Sequence, residues 1–370
     1  MSKIVRVEIT MVDLKPKVKR VDAIQSFVSQ ETPIVVIYDS DGATGTGYCY
    51  TIGTGGLSVI ALLKNSLAPA LIGKDPACIE AIWRDLLFIT HATSVGAITS
   101  LALAAIDTAL WDMKCKKANL PLWKVAGGAR DKIPVYTTEG GWLHLETPNL
   151  VDDALKMQAK GFMGAKIKIG NAHISQDYKR LNAVREAVGD GFEIMTDANQ
   201  SFTLSEAIRR AKMLEEFDIA WFEEPLPADN VGAHRQLLSA TSVPIAVGES
   251  LYSLSQFKEY LAQDAVSIIQ VDVARVGGIT PWLKVAHLAE AFNVMVCPHF
   301  LMELHISLVC AITNSKWLEY IPQLDTVTQS LMQIKDGIAQ PSNVVGLGVD
   351  WDWKQIKQQA VLSETIVEGN

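Results

Sequence analysis

The sequence predicts an α/β protein: a barrel of eight strands alternating with helices, preceded by a smaller α+β domain. Three observations carry that expectation. Short apolar runs recur at similar intervals through the second part of the chain, amphipathic segments separate them, and polar or charged residues close most of the runs. At 370 residues the chain exceeds one typical domain, so a large domain with a smaller companion is expected.

The opening domain comes first in the chain. From Ile4 to about Tyr50 the text reads as strands: KIVRVEITMV, then ETPIVVIYDSDG, whose Asp41-Gly42 pair signals a turn. A small antiparallel sheet follows from this, with the first stretch alternating like an edge strand. From Leu57 to about Leu122 the apolar spacing becomes helical, and ITSLALAAIDTALWDMKCKK suits a long, mostly buried helix ending in a basic turn.

The rhythm then changes. IPVYTT, GAKIKIG, FEIMTDA, IAWFEEP, PIAVGES, SIIQVDV, VMVCPH and KWLEYI are eight candidate strands. Continuous Val/Ile-rich runs alternating with helices are the mark of buried parallel strands. Eight of them favour a barrel, and no strand is followed by the glycine fingerprint of an open doubly wound sheet.

Composition narrows the function. Hydrophobic residues make up 49% and charged residues 20%, and no stretch approaches the roughly 18 unbroken apolar residues of a membrane helix. A soluble protein with no membrane partner is expected. The N-terminus lacks the apolar core of a secretory signal, which points to the cytoplasm. A net charge of -8 argues against nucleic acid as a partner. Cys49, Cys78, Cys115, Cys297 and Cys310 are an odd, scattered set that suits buried reduced thiols better than disulfides or a zinc cage.

The candidate site lies where the barrel strands end. Lys166, Lys168, Asp197, Glu223, Glu249, Asp272, His299 and Glu319 fall in or just after successive apolar runs. In a TIM-like barrel such positions converge on one mouth. Asp197, Glu223 and Glu249 are 26 residues apart at each step, the length of one strand, one helix and two loops. Any one of them alone reads more readily as a solvated strand-end charge or helix cap, but three in register do not. Three carboxylates in a dry mouth need a cation, and an all-oxygen set suits Mg²⁺ or Mn²⁺, with Mg²⁺ preferred.

Lys166 and Lys168 are two apart, so both side chains point to the same face of their strand. A solvated lysine pair on an edge strand is the plain alternative, which the buried character of GAKIKIG disfavours. A lysine pressed against another cation and a metal is expected to lose its proton more readily, which would bring it into the range of a general base. Asp272 would fix the tautomer of His299 and leave its other nitrogen facing a substrate. A lone histidine is more often structural; His299 gains from its place in the series, whereas His144, His173, His234, His287 and His305 have no such support.

The motifs KIKIG, MTDANQS, WFEEPL, VGES, VDVARVGGIT, CPHF and WLEY, in this order, resemble those of the mandelate racemase subgroup of the enolase superfamily, and of its acid-sugar dehydratases in particular. The resemblance implies a (β/α)7β barrel at 131–340 and an α+β capping domain at 1–130, completed by part of the tail at about 341–370. It implies Asp197, Glu223 and Glu249 as Mg²⁺ ligands, Lys168 as one base and the His299/Asp272 dyad as a second base on the opposite face. Lys166 would neutralise the substrate carboxylate, and Glu319, protonated, would donate a hydrogen bond to it. Asn199 and Arg275 would contact substrate or metal ligands. The family commonly forms symmetric octamers, so a homo-oligomer is expected.

The chemistry implied is abstraction of the proton beside the carboxylate of a small hydroxy acid, through an enediolate. Loss of a β-hydroxyl would then give a 2-keto-3-deoxy acid from an aldonate or aldarate. Reprotonation from the other face would instead make the protein a racemase or epimerase. A muconate-cycloisomerase or dipeptide-epimerase reading is weakened by Asp272, where such a relative would carry lysine. Outside enzymes, the alternative is a ligand-binding barrel that keeps its metal site. The basic run Lys15, Lys17, Lys19 and Arg20 lies in a segment expected to close the site, and hints at a dianionic substrate such as an aldarate; its plain alternative is a solvated surface run. YTIGTGGLS reads as a second, glycine-hinged flap.

Overall fold

The computed structural model describes residues 2–94, 96–329 and 332–367. The opening sheet is antiparallel, in the order Ala360–Val367, Ile4–Asp13, Glu31–Asp39, Thr44–Tyr48. Ile4–Asp13 is therefore an inner strand. Its alternation reads as an edge because its second partner, where Arg6 faces Val367 and Thr10 faces Ser363, comes from the far end of the chain. The tail thus belongs spatially with the first sheet.

The long helix runs Ala97–Ala118 and ends on Asn119 in the left-handed region, with Lys116 and Lys117 in its last turn. Lys117 pairs with the buried Asp39 carboxylate of the sheet. Contact between helix and sheet is close enough to require glycine: a Cβ at Gly45 would stand 2.0 Å from the Ala109 carbonyl oxygen, and one at Gly47 2.2 Å from the Ala109 nitrogen.

The barrel strands are Ile133–Thr137, Gly164–Lys168, Glu193–Asp197, Trp221–Glu223, Ile245–Val247, Ile268–Ile269, Met295–Val296 and Leu318–Tyr320. The first seven pair in chain order, and the eighth pairs in parallel with the first, Leu318 facing Val135 and Tyr320 facing Thr137. A parallel bridge from Val296 to Ser315 joins the seventh strand to the chain entering the eighth. One α-helix of seven residues or more follows each of the first seven strands, from Thr147–Ala159 to Met302–Ala311. The fold is a (β/α)7β barrel with an α+β cap.

Tyr136, Met195, Trp221, Ala246, Cys297 and Trp317, all buried, form an apolar cluster drawn from several barrel strands. It underlies the polar site: the Tyr136 ring lies 5.9 Å from Lys166 Nζ. The cap is fixed to the barrel by buried polar contacts. Asp107 accepts from the Thr280 hydroxyl at 2.6 Å and its backbone N–H at 2.9 Å, and Trp111 Nε1 donates to Thr280 Oγ1 at 2.9 Å. All five cysteines are free thiols, but Cys78, expected to be buried, is exposed at the start of the helix Ile79–Ile89. Among the described residues no helix is long and apolar enough to cross a membrane.

Candidate active site

All eight strand ends supply polar groups to one mouth. Lys166 and Lys168 lie on the second strand, Asp197 and Glu223 end the third and fourth, and Glu249 stands two residues past the fifth. Asp272 and His299 each stand three residues past a strand, and Glu319 is the middle residue of the eighth. The first strand adds Thr138, whose hydroxyl donates to Glu319 Oε1 at 2.6 Å. Asn199, Gln200, Glu224, Phe300 and Leu301, in the loops leaving three of these strands, hold positive φ angles. Backbone strain of this kind collects where side chains must be aimed.

Asp197, Glu223 and Glu249 offer carboxylate oxygens within 4.8 Å of one another. Burial first, and then Asp197, push the Glu223 carboxyl up to about 7. Glu223 Oε2 accepts from Gln270 Nε2 at 2.6 Å and Trp221 Nε1 at 3.0 Å, and Oε1 from Lys166 at 2.8 Å. Glu249 Oε2 is buried with no hydrogen-bond partner. An orphaned buried oxygen beside two further carboxylates fits a hard divalent cation such as Mg²⁺, and the set lacks the thiolate or imidazole of a softer-metal site.

Lys166 is 1% exposed and lies between carboxylates, 2.8 Å from Glu223 and 2.9 Å from Glu319. Lys168 donates to Asp197 and, at 3.0 Å, to Asn199 Oδ1. The neutral lysine is expected where a second cation and a bound metal both stand against it. The protein's own charges, taken alone, hold the proton: burial pushes the Lys168 ammonium down, but Asp197, Glu249 and Glu223 together outweigh it and the group stands above its ordinary value. A dication on the carboxylates would reverse that sign by taking up the charge that now holds the lysine proton.

Across the cavity, His299 Nδ1 lies 2.9 Å from Asp272 Oδ2, and Nε2 faces Glu249 Oε2 at 3.4 Å. Burial works against the imidazolium, yet Glu249 and Asp272 raise the histidine above its usual value. Asp272 is itself held in place, Oδ1 by the N–H groups of Ala274 and Arg275 at 2.8 and 3.1 Å and Oδ2 by the Tyr50 hydroxyl at 2.7 Å. Burial would raise its carboxyl, but the His299 contact brings it down to about 2.

Glu319 is tied to the neighbouring wall by two donors. It accepts from Thr138 and, at 2.8 Å, from Phe300 N–H. Burial alone would raise its carboxyl, but Lys166 holds it well below the usual carboxylate range. With only the protein's own groups around it, its oxygens act as acceptors. A substrate carboxylate that drew Lys166 away would remove the main opposition to burial and favour the proton, against the smaller pull of His299 and the Thr138 hydrogen bond.

Asn199 and Arg275 both line the cavity. Arg275 Nη1 donates to the Glu249 backbone oxygen at 3.0 Å and to its carboxylate at 3.3 Å, and Nε to Tyr50 at 3.1 Å. His305, given no role from sequence, is buried behind His299: Nε2 accepts from Val273 N–H at 3.1 Å and Nδ1 donates to the Phe300 oxygen at 3.0 Å. Burial pushes it down to about 4, so it stays neutral and ties the loop carrying His299 to the one carrying Asp272.

The cavity, of about 90 Å³, is roofed by the cap through Asp22, Ile24, Gln25, Phe27 and Ile52. The segment after the first strand therefore closes the site as expected, but its basic run does not face it. Arg20 pairs with Glu139, Lys17 donates to Asp325 at 2.9 Å, and Lys15, Lys17 and Arg20 line a separate cavity. The hint of a dianionic substrate drawn from that run falls with it.

A capped α/β barrel with this carboxylate triad, lysine pair and His–Asp dyad is the architecture of the enolase superfamily. The chain belongs within it to the mandelate racemase/muconate lactonizing enzyme family: residues 6–127 match that family's N-terminal domain and residues 149–355 the enolase C-terminal domain-like family. It is 38% identical over 315 residues to an L-talarate/galactarate dehydratase of Salmonella typhimurium, covering 85% of this chain and 79% of the relative. It is 34% identical over 330 residues to a 3,6-anhydro-alpha-L-galactonate cycloisomerase of Streptomyces coelicolor, covering 88% and 91%. The crystal structure of the Salmonella dehydratase liganded with Mg and L-lyxarohydroxamate superposes with a TM-score of 0.94 at 33% identity, covering 99% of this chain and 95% of that one.

Proposed function

We propose that the protein is a Mg²⁺-dependent acid-sugar dehydratase that converts an aldonate or aldarate to a 2-keto-3-deoxy acid. The observation that carries this reading is the pairing of Lys168 on one wall with an Asp272-oriented His299 on another, with three carboxylates and Lys166 beside them. Mg²⁺ held by Asp197, Glu223 and Glu249 would supply positive charge against the substrate carboxylate. Lys166 adds a second cation there, and Glu319 a hydrogen bond once protonated.

Lys168 takes the proton from C2, and the released electron pair spreads into the carboxylate as an enediolate. His299 gives a proton to the C3 hydroxyl, which leaves as water. The resulting enol takes a proton at C3 and becomes the 2-keto acid. Fixed cations in a closed cavity stabilise the developing charge better than water does, and each positioned acid or base adds roughly 10² to 10⁴ in rate. Racemisation would use the same two groups without a leaving group; the dehydratase relative favours elimination. A capping unit at 1–130 completed by part of the tail at about 341–370, with the barrel at 131–340, is supported by the tail strand's place in the first sheet; a cytoplasmic location and a homo-oligomer complete the reading as expectations, the second from the family resemblance.

The test is incubation with Mg²⁺ and a library of mono- and diacid sugars in D₂O, following keto acid and solvent deuterium at C2. Keto acid is expected; exchange without it would mean a racemase or epimerase. Mg²⁺ should also raise the thermal midpoint, by the equivalent of about 2.7 kcal/mol at a hundred times its Kd. Glu249→Gln should weaken that response, followed by calorimetric titration, and a variant that binds Mg²⁺ equally well would remove Glu249 from the ligand set.

A further inference from the structure

The roof of the cavity holds a charge that proton abstraction and water loss leave unexplained. Asp22 lies between the short strands Arg20–Val21 and Ser26–Phe27, lines the cavity, and is 4% exposed. Its Oδ1 accepts from the N–H groups of Ile24 and Gln25, both at 2.8 Å. Its Oδ2 is buried and has no hydrogen-bond partner. A buried acceptor left without a donor favours any ligand that brings one and disfavours a ligand that cannot.

The cations tell the same story. Lys166, Lys168 and Arg275 line the cavity, and each is committed at the barrel strand ends, to Glu223 and Glu319, to Asp197 and to Glu249 respectively. Among the described lining residues no lysine or arginine remains for a second carboxylate. On the cap's side of the cavity Asp22 is accompanied by Ile24, Gln25, Phe27 and Ile52, none of them a cation, which is a poor setting for an unpaired anion. Burial raises the Asp22 carboxyl while Lys168 opposes it; a second carboxylate would add like charge and would have to bring a proton with it.

We propose that Asp22 selects monoacid sugars over diacids: it accepts a hydrogen bond from a hydroxyl at the substrate's far end and repels a carboxylate there. This rests on the acid-sugar reading and narrows it to aldonates. The relatives do not decide the matter, since one is named for a diacid pair and the other for a monoacid.

The experiment measures Kd by calorimetry and kcat/KM for keto acid on the Mg²⁺-loaded full chain, for aldonates and for aldarates of matching configuration. The protein is expected to favour aldonates by about 100-fold or more. Asp22→Asn keeps an oxygen for the Ile24 and Gln25 amides and turns an N–H donor towards the ligand. It should cut the preference to about tenfold or less, chiefly by lowering KM for aldarates. Equal or better use of aldarates by the unaltered protein, or an unchanged ratio in Asp22→Asn, overturns the proposal. Preferential aldonate binding without keto acid would leave the selectivity standing and remove the dehydratase reading. Keto acid from aldarates alone would do the reverse, and binding of neither class would overturn both.

Discussion

Replacing His299 with Asn is expected to lower keto acid formation by about 10²- to 10⁴-fold while leaving exchange of the C2 proton on the Lys168 side. The reasoning is local. Asp272 is held by two backbone N–H groups and the Tyr50 hydroxyl, so its Oδ2 stays in place to accept from whatever stands at 299. An asparagine amide meets that oxygen much as Nδ1 does at 2.9 Å, and the stacking partner Phe300 is untouched. What is lost is the second nitrogen, the atom that can take or give a proton. NMR in D₂O with substrates carrying the C2 proton on either face separates the two walls. Equal loss at both faces would mean collapse of the site, and undiminished keto acid would remove His299 from the chemistry.

The legible and illegible parts of this molecule divide along a physical line. Barrel strands buried on both faces write themselves as apolar runs, and the charges that end them stand out because water is excluded there. That made Lys166, Lys168, Asp197, Glu223, Glu249, Asp272, His299 and Glu319 readable as one group. Tyr50, Gln270, Thr138 and His305 were not, because a hydroxyl, an amide or a neutral imidazole in a core carries no pattern; only the fold shows that each bonds to a site residue or to the loop that holds one. The outer hairpin Gln333–Lys335 with Ile338–Gln340 went unread although Asp336-Gly337, both at positive φ, is its turn signal. Its strands are too short to show alternation. Charge direction was the least legible: the basic run of the first loop faces away from the site, while Asp22, a few residues on, faces into it.

Lys166→Met should lower the thermal midpoint by an amount on the order of 10 °C, the equivalent of about 3–5 kcal/mol, because it strips a buried ammonium from the carboxylates it neutralises. Methionine keeps most of the side-chain volume against Tyr136, so packing contributes little to the loss. The pH dependence has a definite sign. Lys166 holds Glu319 below its ordinary value of 4.5 in the folded chain. The stability from that depressed carboxyl is present above the unfolded value and lost as pH falls through the folded one. The variant should therefore lag the parent most near neutrality, and the gap should close on acidification. Saturating Mg²⁺ should return part of the loss by placing a dication against Glu223 and Asp197. Thermal scans at two pH values, with and without Mg²⁺, read all three effects. A variant as stable as the parent at neutral pH without Mg²⁺ would mean that the site neutralises itself by taking up protons. Glu223, already pushed to about 7 by burial and Asp197, would take the first of them.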